Sequence, residues 1–131
     1  MSENLIFFDL ETTGLGHECH IIEIAAWKTH DLKDIPTEYT EKMKIRDNVF
    51  YSLVMPDKSI NYSATQCHGI SKVGQNELNV RGKHEYNVPN QKEVMENFIT
   101  WLSEIDNPIL IAYNGFRYSN FFRMSLIELR I

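Results

Sequence analysis

Asp9 and Glu11 stand two residues apart at the end of the apolar run 4–10, Asn-Leu-Ile-Phe-Phe-Asp-Leu. Side chains alternate along an extended strand, so residues i and i+2 point to the same face. The turn that follows, Glu11-Thr-Thr-Gly-Leu-Gly16, is mostly small residues and carries two glycines. Two carboxylates on one face beside such a turn make an oxygen-rich pocket suited to Mg²⁺ or Mn²⁺. Ions held in this way serve phosphoryl transfer by activating water and steadying the leaving oxygen. Alone, the Asp-x-Glu pair is a weak signal, because strand-end acids are most often solvated caps.

The elements that must position this pair can be read along the chain. Residues 4–10 predict a buried strand, 21–29 (Ile-Ile-Glu-Ile-Ala-Ala-Trp-Lys-Thr) a second and 48–55 a third. Pro56-Asp57 opens a turn, and residues 63–68 suit one short helix. The stretch 71–90 is polar, contains Gly74, Gly82 and Pro89, and reads as a long loop. From Asn90 onward Val94, Met95, Phe98, Ile99, Trp101 and Leu102 recur at three- and four-residue steps, the mark of an amphipathic helix. Ile109-Leu-Ile-Ala112 follows as a fourth strand. Residues 119–131, with Phe121, Phe122, Met124, Leu126, Ile127 and Leu129, predict a last helix. The order is mixed α/β without a linker that would divide it, so a single domain over 1–131 is expected.

Composition narrows the class. The 131 residues are 43% hydrophobic and 24% charged, with 13 Lys and Arg against 18 Asp and Glu, a net charge of −5. A mildly acidic chain is a poor general coat for nucleic acid but is compatible with an enzyme that holds metal ions against one. Two cysteines, Cys19 and Cys67, make no disulfide framework and fit a reducing intracellular setting, cytoplasmic or nuclear. No apolar run reaches the ~18–20 residues of a bilayer span, and the start Met1-Ser2-Glu3-Asn4 lacks the basic opening of a secretory signal. Residues 1–40 hold eight acids and two bases, whereas 41–92 hold five acids and eight bases. Solvated faces explain an imbalance of this size more simply than a metal edge beside a backbone-binding surface.

Three segments carry a family resemblance. Phe8-Asp9-Leu10-Glu11-Thr12-Thr13-Gly14-Leu15 resembles the first motif of the DEDDh 3′–5′ exonucleases. Cys67-His68-Gly69-Ile70 is similar to the helix-end segment with which those enzymes hold the terminal nucleotide. Ala112-Tyr113-Asn114-Gly115-Phe116-Arg117-Tyr118-Ser119 resembles their second motif, most closely in its three-prime-repair (TREX-like) form. The segments fall in the family's order and span essentially the whole chain. The resemblance implies an α/β, RNase H-like fold, a mixed sheet flanked by helices, with the site at the C-terminal end of the first strand. It implies metal-dependent hydrolysis of phosphodiester bonds at nucleic-acid 3′ ends, DNA rather than RNA. Asp9 would bridge two metal ions and Glu11 would bind the one that activates water. Leu10, Thr12, Thr13, Gly14, Leu15, Cys67, His68 and Asn114 would contact the terminal nucleotide or brace the turn beside it.

The departures from that pattern are as informative. The second motif's aspartate is replaced by Ser119, a neutral and poor Mg²⁺ ligand. The third motif, a histidine followed five residues later by an aspartate, is absent: none of His17, His20, His30, His68 and His84 has an aspartate at that spacing. Two of four acids remain and the general base has no counterpart, a loss that typically costs ~10²–10⁴-fold in rate. The expectation is a C-terminally incomplete domain, without the family's final strand and helix, holding at most one ion well and impaired or inactive as a nuclease. The strand at 109–113 would then be an uncovered edge, open to a second copy or a protein partner. An inactive module that binds a DNA (or RNA) 3′ end, or a protein, is the competing reading.

Other features have plainer explanations. His17, Cys19 and His20 with Cys67 and His68 offer zinc-ligand chemistry, but their spacing matches no zinc-finger pattern. Trp27, Phe98 and Trp101 have core periodicity rather than that of a base-stacking platform. Lys72, Arg81, Lys83 and Lys92 form an unspecific basic group that could meet phosphates from the long loop.

Overall fold

The computed structural model describes residues 4–14, 19–28, 42–45 and 48–111. The strand β1 (Asn4–Thr12) alternates strictly, burying Ile6, Phe8 and Leu10 on one face. It pairs antiparallel with β2 (Ile21–Lys28), which pairs antiparallel with β4 (Val49–Leu53). A three-residue strand, β3 (Met43–Ile45), lies beyond β4, a short edge that the sequence does not announce. On the other side β1 pairs parallel with β8 (Pro108–Ile111), giving the order β3-β4-β2-β1-β8. This mixed sheet is the frame expected of an RNase H-like fold.

One helix covers the buried face. In α2 (Gln91–Ser103) the apolar set Val94, Met95, Phe98 and Trp101 is buried against Ile6, Phe8, Leu10, Ile24 and Phe50. The Asn90 side chain caps its start by accepting the Glu93 amide N–H at 2.9 Å. Phe98 is fully buried, edge-on to Phe50 with ring centroids 5.1 Å apart and stacked near Trp101 at 6.0 Å. Phe98 and Trp101 are thus core residues. Trp27 lies half-buried on the opposite face, stacked on Phe7 at 6.2 Å.

The stretch 71–90 is not a loop. It folds into a second sheet, β5 (Ile70–Gly74), β6 (Glu77–Val80) and β7 (Lys83–Tyr86), in antiparallel order. The two-residue connection Arg81-Gly82 has φ of 53° and 91°, the mirror-image turn that suits the right-handed twist of a hairpin. Arginine in that first position hides the usual Asn-Gly signal. The strands are short and bury only one side, through Ile70 and Leu78, which pack on Ile22, Leu53, Met55 and Val88. Such a half-wet ribbon looks polar in sequence.

Between the two sheets lies the short helix α1 (Tyr62–His68), one residue longer at its start than expected. It ends at Gly69, whose φ of +76° and whose approach to Arg81 leave no room for a side chain: a Cβ there would meet the Arg81 Cγ at 2.9 Å. Among the described residues β8 is an edge strand, with Ile109 and Leu110 exposed. The second-motif segment, including Asn114 and Ser119, and the helix expected at 119–131 lie outside the described residues. No helix among the described residues is long and apolar enough to cross a membrane. Phe98→Ala is expected to cost about 3–5 kcal/mol through the cavity it leaves, read as a lower urea midpoint with an unchanged slope.

Candidate active site

Alternation along β1 delivers Asp9 and Glu11 to the face opposite the α2 core. Asp9 is exposed, and one of its carboxylate oxygens accepts the Leu10 amide N–H at 3.0 Å. Glu11 is half-buried. Directly across the β1–β2 ladder from it stands Glu23, only 8% exposed. Burial, then Asp9, then Glu23 raise the pKa of Glu11 above the ordinary carboxylate value, with Arg81 opposing. Burial is the largest of these causes; the smaller part, the negative charge of Asp9 and Glu23, is what would attract a divalent cation.

The strand continues into a turn that α1 completes. A cleft of about 270 Å³ is lined by Glu11, Thr12 and Gly14 on one side and by Ser63, Ala64, Cys67 and His68 of α1 on the other. Thr12 donates its hydroxyl to the Gly14 carbonyl at 2.7 Å. Thr13 is buried: its amide donates to the His20 carbonyl at 2.9 Å, and its hydroxyl accepts the His20 amide at 3.0 Å. Its carbonyl accepts the Asn61 amide at 2.8 Å, which ties the turn to the start of α1. A Cβ at Gly14 would meet the Asn61 side-chain amide, which would have to move aside, so turn and helix approach closely there.

Of the residues the resemblance points to, Glu11, Thr12, Gly14, Cys67 and His68 meet at this cleft. Asp9 lies on the same strand face as Glu11, one alternation away. Leu10 turns its side chain into the core, and Thr13 commits its side chain and both main-chain groups to the turn. Leu15, Asn114, Ser119 and His17 lie outside the described residues. Cys67 is exposed on the cleft wall.

His68 is a brace rather than a free base. Its Nδ1 accepts the Ile70 amide N–H at 3.1 Å, which leaves Nε2 to donate to the Thr12 carbonyl at 3.1 Å. That neutral tautomer joins the end of α1 to the end of β1. Burial lowers its pKa, with the Thr12 bond opposing.

Sequence reasoning missed the residues that balance the acids. Arg81 donates Nη2 to Glu23 Oε1 at 2.9 Å and Nη1 to Oε2 at 3.1 Å, and the Tyr51 hydroxyl also donates to Oε2. Glu23 holds the guanidinium's pKa above its ordinary value, and burial followed by Glu23 raises that of Tyr51. A signal existed: a lone acid inside Ile-Ile-Glu-Ile-Ala-Ala asks for a buried partner. The basic group assigned to phosphates is partly committed elsewhere. Besides Arg81, Lys72 donates to the Pro56 carbonyl at 3.0 Å and Lys83 pairs with Glu85 at 3.1 Å.

The donor chemistry fits one hard cation. Mg²⁺ commonly takes one or two protein carboxylates and completes its shell with water and phosphate oxygens, and Asp9 with Glu11 supplies that pair. Among the described residues no group of three or more His, Cys, Asp or Glu is set to hold a metal, so the zinc-ligand residues of the sequence do not assemble there. His20 instead accepts the Asp57 amide N–H through Nδ1 at 3.3 Å.

Two pH effects of opposite sign follow. His68 binds its proton less readily folded than unfolded, so its contribution is full above the ordinary value of 6.5 and is lost as pH falls below it. Glu11 binds its proton more readily folded, so its ionisation destabilises as pH rises through the range above 4.5. Tm should therefore fall on acidification from about pH 7.5 to about pH 6, and His68→Gln should flatten that slope. Glu11→Gln should raise Tm at neutral pH in the absence of divalent ions. Circular dichroism melts across this range check both.

A family model described as Exonuclease, of the RNase T type, matches residues 6–125. No curated protein sequence matches the chain. Among solved structures, a moderately thermophilic exonuclease I from Methylocaldum szegediense is 17% identical, with a TM-score of 0.65 over 98% of this chain. The zinc-bound complex of E. coli exonuclease I with single-stranded DNA is 18% identical, with a TM-score of 0.64 over the same share. A further exonuclease I complex, with the SSB C-terminus, is 18% identical at 0.64. The chain spans about a quarter of the length of these proteins, 24% for the first two and 25% for the third. They show the RNase H-like fold, and the family match over nearly the whole chain places it: this chain belongs to the RNase T-type exonuclease family.

Proposed function

We propose that the chain is a metal-dependent 3′–5′ exonuclease-type domain that takes the 3′ end of single-stranded DNA into the cleft between β1 and α1. The observation that carries this reading is the convergence on one cleft of Glu11, the Thr12–Gly14 turn and the Cys67–His68 helix end, with Asp9 on the adjoining strand face. Asp9 and Glu11 would hold Mg²⁺ or Mn²⁺, which when bound supplies charge to the scissile phosphate and lowers the pKa of water. The Thr12 and Gly14 main chain would lie along the terminal sugar, and the exposed Cys67 would flank it. His68 keeps these two walls at a set distance through its two main-chain bonds. The preference for DNA rests on the TREX-like second motif, and the DNA-bound exonuclease I neighbour supports it.

Binding and hydrolysis separate in this proposal. Two carboxylates against two divalent ions leave most of the charge uncompensated, so a phosphate recruits one ion and the second is held weakly. The one imidazole described at the cleft, that of His68, is not free to take a proton from water, because it uses both ring nitrogens. The chain by itself therefore binds a 3′ end in a metal-dependent way and hydrolyses it at a rate lower by ~10²–10⁴ than a complete site.

The test pairs the wild-type chain with Asp9→Ala on a 5′-labelled single-stranded DNA, in Mg²⁺ and then in Mn²⁺. The expected result is no 3′-end ladder above the Asp9→Ala background, with Mn²⁺ tightening DNA binding by the wild type alone. A ladder that vanishes in Asp9→Ala would show that two acids suffice for hydrolysis. Binding that is indifferent to both Mn²⁺ and Asp9→Ala would overturn the assignment of the site.

A further inference from the structure

Arg81 occupies a position that a surface residue of a polar hairpin has no need to occupy. Its own φ is +53°, and its amide donates to the Gly69 carbonyl at 2.8 Å. Its guanidinium then reaches back over the sheet. Nε donates to the His68 carbonyl at 3.0 Å, while Nη1 and Nη2 grip the two oxygens of Glu23 at 3.1 and 2.9 Å. With the Tyr51 hydroxyl also on Oε2, both Glu23 oxygens are occupied. Glu23 faces Glu11 directly across the ladder, so three acids (Asp9, Glu11 and Glu23) share one face of the sheet.

We infer that Arg81 is a positioning residue of the acidic cleft: it withdraws Glu23 from any cation held by Asp9 and Glu11, and it anchors the end of α1, the wall that faces Glu11. The inference rests on the metal-site reading given above. A planar fork is needed because only it can satisfy two carboxylate oxygens and still spare a third N–H for a carbonyl. Left unpaired, Glu23 would be a third carboxylate beside the ion, one that no phosphate has to complete. The ion would then sit in the protein whether or not a DNA end was present. Arg81 thus makes cation binding depend on the substrate phosphate.

A merely structural role for Arg81 predicts weaker metal binding when it is removed; the positioning role predicts the reverse. Free Mn²⁺ can be counted by electron paramagnetic resonance with no nucleic acid present. Arg81→Met, which keeps the apolar stem, should bind Mn²⁺ about tenfold more tightly than the wild type, because a nearby positive charge is lost and a carboxylate is freed. Glu23→Gln, which leaves the guanidinium without its acid, should bind about tenfold more weakly. The double variant should return to within about threefold of the wild type. A melting transition confirms that each variant is folded. Unchanged or weaker Mn²⁺ binding by folded Arg81→Met overturns the inference. Should that variant not fold, unchanged binding by Glu23→Gln overturns it. A wild type that takes up no Mn²⁺ without nucleic acid, beside an Arg81→Met that does, sustains this inference and leaves the proposed function to the DNA-binding test above. Absence of binding in both overturns this inference, whereas the proposed function is overturned only if DNA binding is also indifferent to Mn²⁺ and to Asp9→Ala.

Discussion

Antiparallel pairing of β1 with β2 sets Glu11 against Glu23, and most of what is distinctive in this chain answers that one juxtaposition. Like charges directly opposite on a sheet repel, and burial of Glu23 makes the repulsion harder to screen. The chain resolves it from a distant segment. A tight hairpin turn at Arg81-Gly82 brings a guanidinium over the ladder, where it neutralises Glu23 and opposes the rise in the pKa of Glu11 at the cleft. The second sheet exists in part to carry that turn. Its apolar side packs on Ile22 and Leu53 of the main sheet, so the hairpin is held in place by the same strands whose charge it balances.

The cleft is correspondingly a junction rather than a dent in one element. One wall is the last turn of α1 and the other is the end of β1 with its following turn. His68 spans them, accepting from Ile70 and donating to Thr12. Gly69 marks a place with no room for a Cβ beside Arg81, and Gly14 one where a Cβ would displace the Asn61 side chain. Thr13 and Asn61 exchange the main-chain bond that keeps the turn against the helix. The His68–Thr12, Thr13–Asn61 and Gly14–Asn61 contacts each join segments about fifty residues apart in sequence, so the width of the cleft is a property of the whole packing.

Membership in an exonuclease family and the two-acid face are compatible with a division between holding a DNA end and cutting it. Cutting needs charge on both sides of the phosphate and a group to take a proton. Holding needs only a cavity of nucleotide width, an acid pair that accepts one ion, and a main chain offered to the sugar. In the function proposed above, the described residues contribute to the second set through the cleft of about 270 Å³ and the Asp9–Glu11 pair.

What the sequence determined by itself is the local and the periodic. Alternation in 4–12 placed Asp9 and Glu11 on one face, three- and four-residue spacing in 91–103 placed Phe98 and Trp101 in the core, and the first motif with the Cys67–His68 segment pointed to the family. The frame of the main sheet was legible for the same reason, because its central strands are apolar runs bounded by turn residues. Tertiary structure decided the rest. The stretch 71–90 reads as loop because a ribbon buried on one side alternates too briefly, over four or five residues, to stand out from its polar background. Arg81 reads as a phosphate-binding cation and His68 as a nucleotide contact. Both also act as struts, which the sequence does not show, because each found a partner, Glu23 or Thr12, more than fifty residues away. Charge type is written in the sequence; which opposite charge it meets is written only in the packing.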